Sequence, residues 1–161
     1  METLFINTDK HNNVDFQLMS FDSAISLKTK DQSLVKVLPA NEFIAPEVYL
    51  GKYGRKIDEY GAGVVMYYLL CEELPYKFAK LKSDQEIYWH LKKQELQFDQ
   101  PSWSTYQHYG ELREVLEGLL AKDPKNRMSA KMALRHPLFK IAKMQMRDFN
   151  SQLLKDNISF K

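Results

Sequence analysis

Residues 58 to 71 constrain the fold more than any other stretch. From Tyr60 to Leu70 the chain reads Tyr-Gly-Ala-Gly-Val-Val-Met-Tyr-Tyr-Leu-Leu, without one charged residue. A run of that length with no two-residue alternation predicts a helix of nearly four turns, apolar round most of its circumference, and Pro75 predicts its end. Such a helix needs other elements packed round it, and 161 residues at 44% hydrophobic supply one domain's core rather than two. Nine Tyr, nine Phe and two Trp exclude a disordered chain. No apolar run approaches the roughly 18 residues that cross a bilayer, so no membrane partner is expected. Charge is 23 basic minus 21 acidic residues, or +2, which gives no electrostatic footprint for nucleic acid. Cys71 is the only cysteine, so an internal disulfide and a Cys-based zinc site are both excluded. The opening residues lack the charged and apolar regions of a signal peptide, and a cytoplasmic setting is the expectation.

Around the apolar helix the pattern is mostly helical. Leu4 to Ile6 and Val14 to Met19 flank a polar stretch and predict a β-hairpin with a long turn. Ser23 to Asn41 has no periodicity and reads as an extended surface loop. Ser83-Asp84-Gln85-Glu86 has capping-box spacing and opens a second helix carrying Ile87 and Leu91. After a connector from Leu96 to Tyr109, the stripe Leu112, Val115, Leu116, Leu119, Leu120 predicts a third helix. Ser129 caps a fourth through Arg135, ended by His136-Pro137, and an amphipathic tail runs from Ile141 to Leu154. No repeat and no βαβ alternation is present.

Four elements, in order, carry a family resemblance. Phe43-Ile44-Ala45-Pro46-Glu47 resembles the Ala-Pro-Glu motif that closes the activation segment of protein kinases. Asp58-Glu59-Tyr60-Gly61-Ala62-Gly63-Val64 is similar to the Asp-x-Trp-x-x-Gly-Val that starts their central helix. Asp123-Pro124-Lys125-Asn126-Arg127 and Ala133-Leu134-Arg135-His136-Pro137-Leu138-Phe139 resemble the Asp-Pro-x-x-Arg and Ala-Leu-x-His-Pro-x-Phe elements near the domain's end. Gly51-Lys52-Tyr53, Pro75-Tyr76, Asp84 to Ile87 and Phe98 to Trp103 look most like the calmodulin-dependent and calcium-dependent Ser/Thr kinases. The resemblance covers residues 1–139, leaving 140–161 as a tail. It implies a mainly α fold, the C-terminal lobe of a protein kinase as a helical bundle with a small β-hairpin, and the N-terminal lobe absent. It also implies structural roles for Ala45, Pro46, Asp58 and Gly63, and an ion pair between Glu47 and Arg127, since an Arg fork matches a carboxylate at two points.

At the positions of phosphoryl-transfer chemistry the chain departs from the family. Asp-Phe-Gly falls on Ser20-Phe21-Asp22, so the metal-binding aspartate is a serine and the glycine an aspartate. Met1-Glu2-Thr3-Leu4-Phe5 resembles the end of the catalytic loop, which puts Thr3 where the second metal ligand, an asparagine, belongs. Neutral hydroxyls are poor ligands for a hard cation. Asp22 as a displaced ligand would sit roughly 6–7 Å along an extended chain from the motif position. On this register the His-Arg-Asp base would lie about five residues before Met1, and the glycine loop and lysine that hold ATP would be missing as well. Ala40 stands where the family has a threonine near the base. The catalytic set in this chain is therefore expected to be empty, with no ATP or Mg²⁺ bound.

Gly61-x-Gly63 lies inside an apolar helix and reads as close packing rather than a nucleotide loop. No two of His11, His90, His108 and His136 are spaced as a helical metal pair, and His136 reads as a helix-end hydrogen bond. Ser26, Thr29 and Ser33 could accept phosphate, although plain loop polarity is the simpler reading. Lys140, Lys143, Met144, Met146, Arg147 and Lys155 give the tail a basic, Met-bearing face, which could suit a calmodulin-type partner or pack on its own lobe. The leading expectation is a catalytically inactive kinase-like module that binds proteins. The competing one is a truncated piece of an ATP-dependent Ser/Thr kinase.

Overall fold

The computed structural model describes residues 4–8, 14–19, 21–29, 32–35, 41–79 and 81–145. It divides into two compact units, Met1–Gln32 and Ser33–Lys161. In the first, β1 (Leu4–Thr8) and β2 (Val14–Leu18) pair antiparallel, with Leu4 opposite Leu18, Ile6 opposite Phe16 and Thr8 opposite Val14. A short 3-10 turn, Phe21–Ser23, follows.

The second unit is built on α1 (Lys56–Cys71), which buries Tyr60, Gly63, Val64 and Tyr67. Its end differs from the expected proline stop. Glu72 takes a left-handed conformation at φ 59° and its N–H donates to Tyr68 O at 2.8 Å, so the helix closes three residues before Pro75. In α2 (Asp84–Lys93), Ser83 Oγ accepts from Glu86 N at 3.3 Å, while Glu86 Oε2 reaches past Ser83 to accept from Lys82 N at 3.2 Å. Ile87 and Leu91 are buried, one turn apart. Within the connector, Pro101–Thr105 forms a 3-10 turn that brings Trp103 into the core. α3 (Tyr109–Leu119) starts three residues ahead of the first stripe residue and buries Leu112, Val115, Leu116 and Leu119.

The fourth helix is shorter than its pattern suggests. α4 is Ala130–Ala133, capped by Ser129 Oγ accepting from Met132 N at 3.2 Å, and Arg135 already lies in a turn. Helix resumes over 137–145, where Pro137 occupies the first position, one that tolerates a missing N–H. At this junction His136 Nδ1 accepts from Leu138 N at 3.3 Å and Nε2 contacts Glu114 Oε2 at 3.1 Å.

Among the described residues, two clusters make the core. The larger joins Tyr60, Val64 and Tyr67 to Tyr76, Ile87, Leu91, Trp103, Leu116 and Leu120, and the smaller joins Leu112, Val115 and Leu119 to Ala133 and Leu138. The second glycine of the Gly-x-Gly pair sets their spacing. A Cβ on Gly63 would meet Leu119 Cβ at 2.9 Å and Leu120 at 3.0 Å, so α1 and α3 approach as closely as they do because residue 63 has no side chain. Tyr67 pins the connector to α1: its hydroxyl donates to Gln97 O at 2.8 Å and accepts from Gln100 Nε2 at 3.0 Å. Gln100 Oε1 in turn accepts from Trp103 Nε1 at 2.6 Å. Burial pushes the Tyr67 phenol up to about 12. No described helix is long and apolar enough to cross a membrane.

Candidate functional site

The most complete polar constellation surrounds Arg127. Pro46–Leu50 is a 3-10 turn with Pro46 at its start and Gly51, at φ 74°, closing it, and this turn lays Glu47 into the core. Arg127 Nη1 donates to Glu47 Oε1 at 2.6 Å and Nη2 to Oε2 at 2.9 Å, a two-point fork in which both side chains are almost wholly buried. Two further donors go to main-chain carbonyls: Nε to Ala121 O at 2.9 Å and Nη1 also to Lys56 O at 2.7 Å. The guanidinium carbon stands 5.0 Å from the Tyr60 ring centroid, and the phenol of Tyr60 is pushed up by its burial. A buried charge is tolerable only when paired and hydrogen-bonded, and here both conditions hold. Ala45 and Pro46 are buried beside it.

Asp58 stands in the first turn of α1, lining an open cavity with Glu59, and burial followed by the Glu59 charge pushes its carboxyl up. Lys122 was not singled out by any motif. Its ammonium donates to the carbonyls of Leu91 and Gln94 at the end of α2 and sits 3.8 Å from the Tyr76 ring centroid. Burial, then the nearby Lys92 charge, pushes it down to about 8, against an opposing pull from Glu95. Spacing gave no signal for this residue, because its partners are carbonyls about thirty residues away in the chain.

Of the residues assigned to metal chemistry, Thr3 and Ser20 lie outside the described residues, as does Ala40. Asp22 is exposed in the Phe21–Ser23 turn of the first unit. In sequence these positions supply two neutral hydroxyls and one carboxylate. Among the described residues no group of three or more His, Cys, Asp or Glu is placed to hold a metal. Ser26, Thr29 and Ser33 are exposed, and Ser33 Oγ contacts Tyr53 O at 3.5 Å, next to an isolated bridge between Leu34 and Tyr53. In the tail, residues 137–145 are helical with Lys140, Lys143 and Met144 exposed, and Met146, Arg147 and Lys155 lie outside the described residues.

The protein kinase domain family model matches residues 1–139. A CDPK-related protein kinase of Daucus carota is 33% identical over 132 residues, covering 81% of this chain and 21% of the relative. CDPK-related kinase 5 of Arabidopsis thaliana is 33% identical over 125 residues, covering 77% and 20% respectively. Serine/threonine-protein kinase DCLK3 of Mus musculus is 30% identical over 125 residues, covering 72% and 15%. The chain thus spans about a fifth of the length of the first two relatives and less of the third. With Glu47 and Arg127 joined across a helical core and the family match running through both, the chain belongs to the protein kinase family, related to its Ser/Thr members.

Proposed function

We propose that this chain does not transfer phosphate and works instead by binding protein partners through its helical unit, in the cytoplasm. One observation carries the reading: at both metal positions of the family motifs the chain has a hydroxyl, Thr3 and Ser20. Phosphoryl transfer depends on metal ions bridging the phosphates and neutralising developing charge, so losing both ligands removes the largest electrostatic contribution to the step. The losses are selective. Glu47, Arg127 and Gly63, which shape the lobe and take no part in that chemistry, keep their family identities. The single thiol, Cys71, donates to Tyr67 O and suits a reducing compartment.

The test is melting of the full chain with and without Mg-ATP, alongside phosphate transfer to a generic Ser/Thr peptide. No shift and no transfer are expected. A ligand at about 100 times its Kd would stabilise the fold by about 2.7 kcal/mol, a shift that is easily seen and that would overturn the reading. A second reading, the C-terminal part of a longer ATP-dependent Ser/Thr kinase, is favoured by the chain spanning about a fifth of two of its relatives. Restoring Ser20→Asp and Thr3→Asn within the longest transcript-encoded form, then measuring transfer, separates the two.

A further inference from the structure

Lys122 lies in the segment joining α3 to α4, and part of its side chain reaches solvent. Its ammonium donates to Leu91 O and Gln94 O, at the end of α2, and lies over the Tyr76 ring. Among the described residues no carboxylate forms an ion pair with it. Asp123, next in the chain, uses Oδ1 to accept from Lys125 N at 2.9 Å. The partners this charge has are carbonyl dipoles and a π face, both weaker than a carboxylate.

Two conditions turn a lysine into a nucleophile: desolvation and a second cation close by. Both are met at Lys122. Tyr76 and Leu91 are buried and screen the ammonium from water, and Lys92 supplies the neighbouring charge. Burial first and Lys92 second push Lys122 down to about 8, while Glu95 pulls the other way. Tyr76 is a neutral neighbour, its phenol pushed up by burial. Near pH 8, about half of Lys122 therefore carries a free lone pair, against under about 1% of a lysine titrating near 10.4.

The same ammonium fastens α2. Gln94, whose carbonyl it caps, clasps the chain at Lys77: Oε1 accepts from Lys77 N at 2.7 Å and Nε2 donates to Lys77 O at 2.9 Å. His90 Nε2 meets that Lys77 carbonyl at 2.9 Å as well. Anything that removes the charge of Lys122 is therefore felt at the last turn of α2 and at the segment clasped to it.

We propose that Lys122 is an acyl-acceptor site, acetylated by an activated thioester, and that the modification releases the end of α2. The lone pair of the neutral amine attacks the thioester carbonyl. A C–N bond forms, the C–S bond breaks, and the thiol leaves with the proton that the amine gives up. The product amide has no charge for the Tyr76 ring and a single N–H, so one of the two carbonyls loses its donor.

The experiment treats the full chain with acetyl-coenzyme A at about pH 8 and follows each lysine by peptide mass spectrometry. A weaker base is less reactive per neutral amine but has far more of it, and Lys122 should be acetylated at least about five-fold faster than the exposed Lys93 and Lys125. The preference should vanish in urea, and Lys92→Gln should cut the Lys122 rate at least about two-fold by removing the neighbouring charge. Hydrogen exchange at the amides of residues 91–95 should quicken at least about three-fold in the acetylated chain and in Lys122→Gln, but not in Lys125→Gln. Equal labelling of the three lysines, a preference that survives urea, indifference to Lys92→Gln, or unchanged exchange at 91–95 after acetylation each overturns the proposal.

Discussion

Replacing Arg127 by methionine removes four hydrogen bonds and leaves Glu47 as a buried carboxylate with neither oxygen paired to a cation. The carbonyls of Ala121 and Lys56 lose their donors in the same step. Breaking a buried pair on one side costs about 3–5 kcal/mol, since the surviving charge keeps its desolvation penalty. Arg127→Met should sit at the upper end, given the two further carbonyls. For a domain of this size the melting temperature should fall by roughly 10 °C or more. Glu47→Gln keeps the volume and one acceptor and should cost less, about 1.5–3 kcal/mol, the value of a charge-assisted bond. The decisive measurement is the cycle of Glu47→Leu, Arg127→Met and the double variant Glu47→Leu/Arg127→Met, each followed by urea unfolding. With both charges gone, its loss should fall short of the two single losses added together by about 2–3 kcal/mol. Strict additivity, or an Arg127→Met cost below about 1 kcal/mol, would mean the fork contributes no coupling and would refute the reasoning.

Gly63→Ala should destabilise by about 1–3 kcal/mol in the same assay, because its Cβ would stand 2.9 Å from Leu119 Cβ, well inside contact distance. Glu72→Gly should raise stability by up to about 1 kcal/mol by relieving the left-handed conformation at the end of α1. Lys122 titrates lower in the fold than in the unfolded chain, so the unfolded state binds more protons between about pH 8 and the ordinary lysine value near 10.4. Stability should therefore rise with pH across that window, and Lys122→Met should flatten the rise; an unchanged slope would remove Lys122 from the account.

The helices were legible because their signals are local. The Tyr60 to Leu70 run, the Ser83 and Ser129 caps and the Leu112 to Leu120 stripe each announce an element within a few residues. Ends were less legible. Pro75 suggested a stop that a left-handed Glu72 had already made, and the Ala130 to Arg135 pattern did not reveal the break at Leu134, where the chain turns before Pro137 starts a new helix. Arg127 and Glu47 were paired through motifs, since nothing local in either segment points to a partner eighty residues off. Lys122 carried no pattern at all; its environment is assembled by α2 and the Tyr76 ring and exists only once the chain has folded.

The distance in sequence between Glu47 and Arg127 also sets an order of events during synthesis. At about 5–20 residues per second, the arginine leaves the ribosome roughly 4–16 s after the glutamate it will bind. Within that interval α1 is complete first, at Cys71, while α3, which packs against it, is complete only at Leu119. Helix formation takes microseconds, so α1 can form on emerging and then spends more than half of the interval without its cover. A holdase chaperone present in a translation reaction should therefore engage nascent chains halted between Cys71 and Leu119, and release them once Arg127 is out.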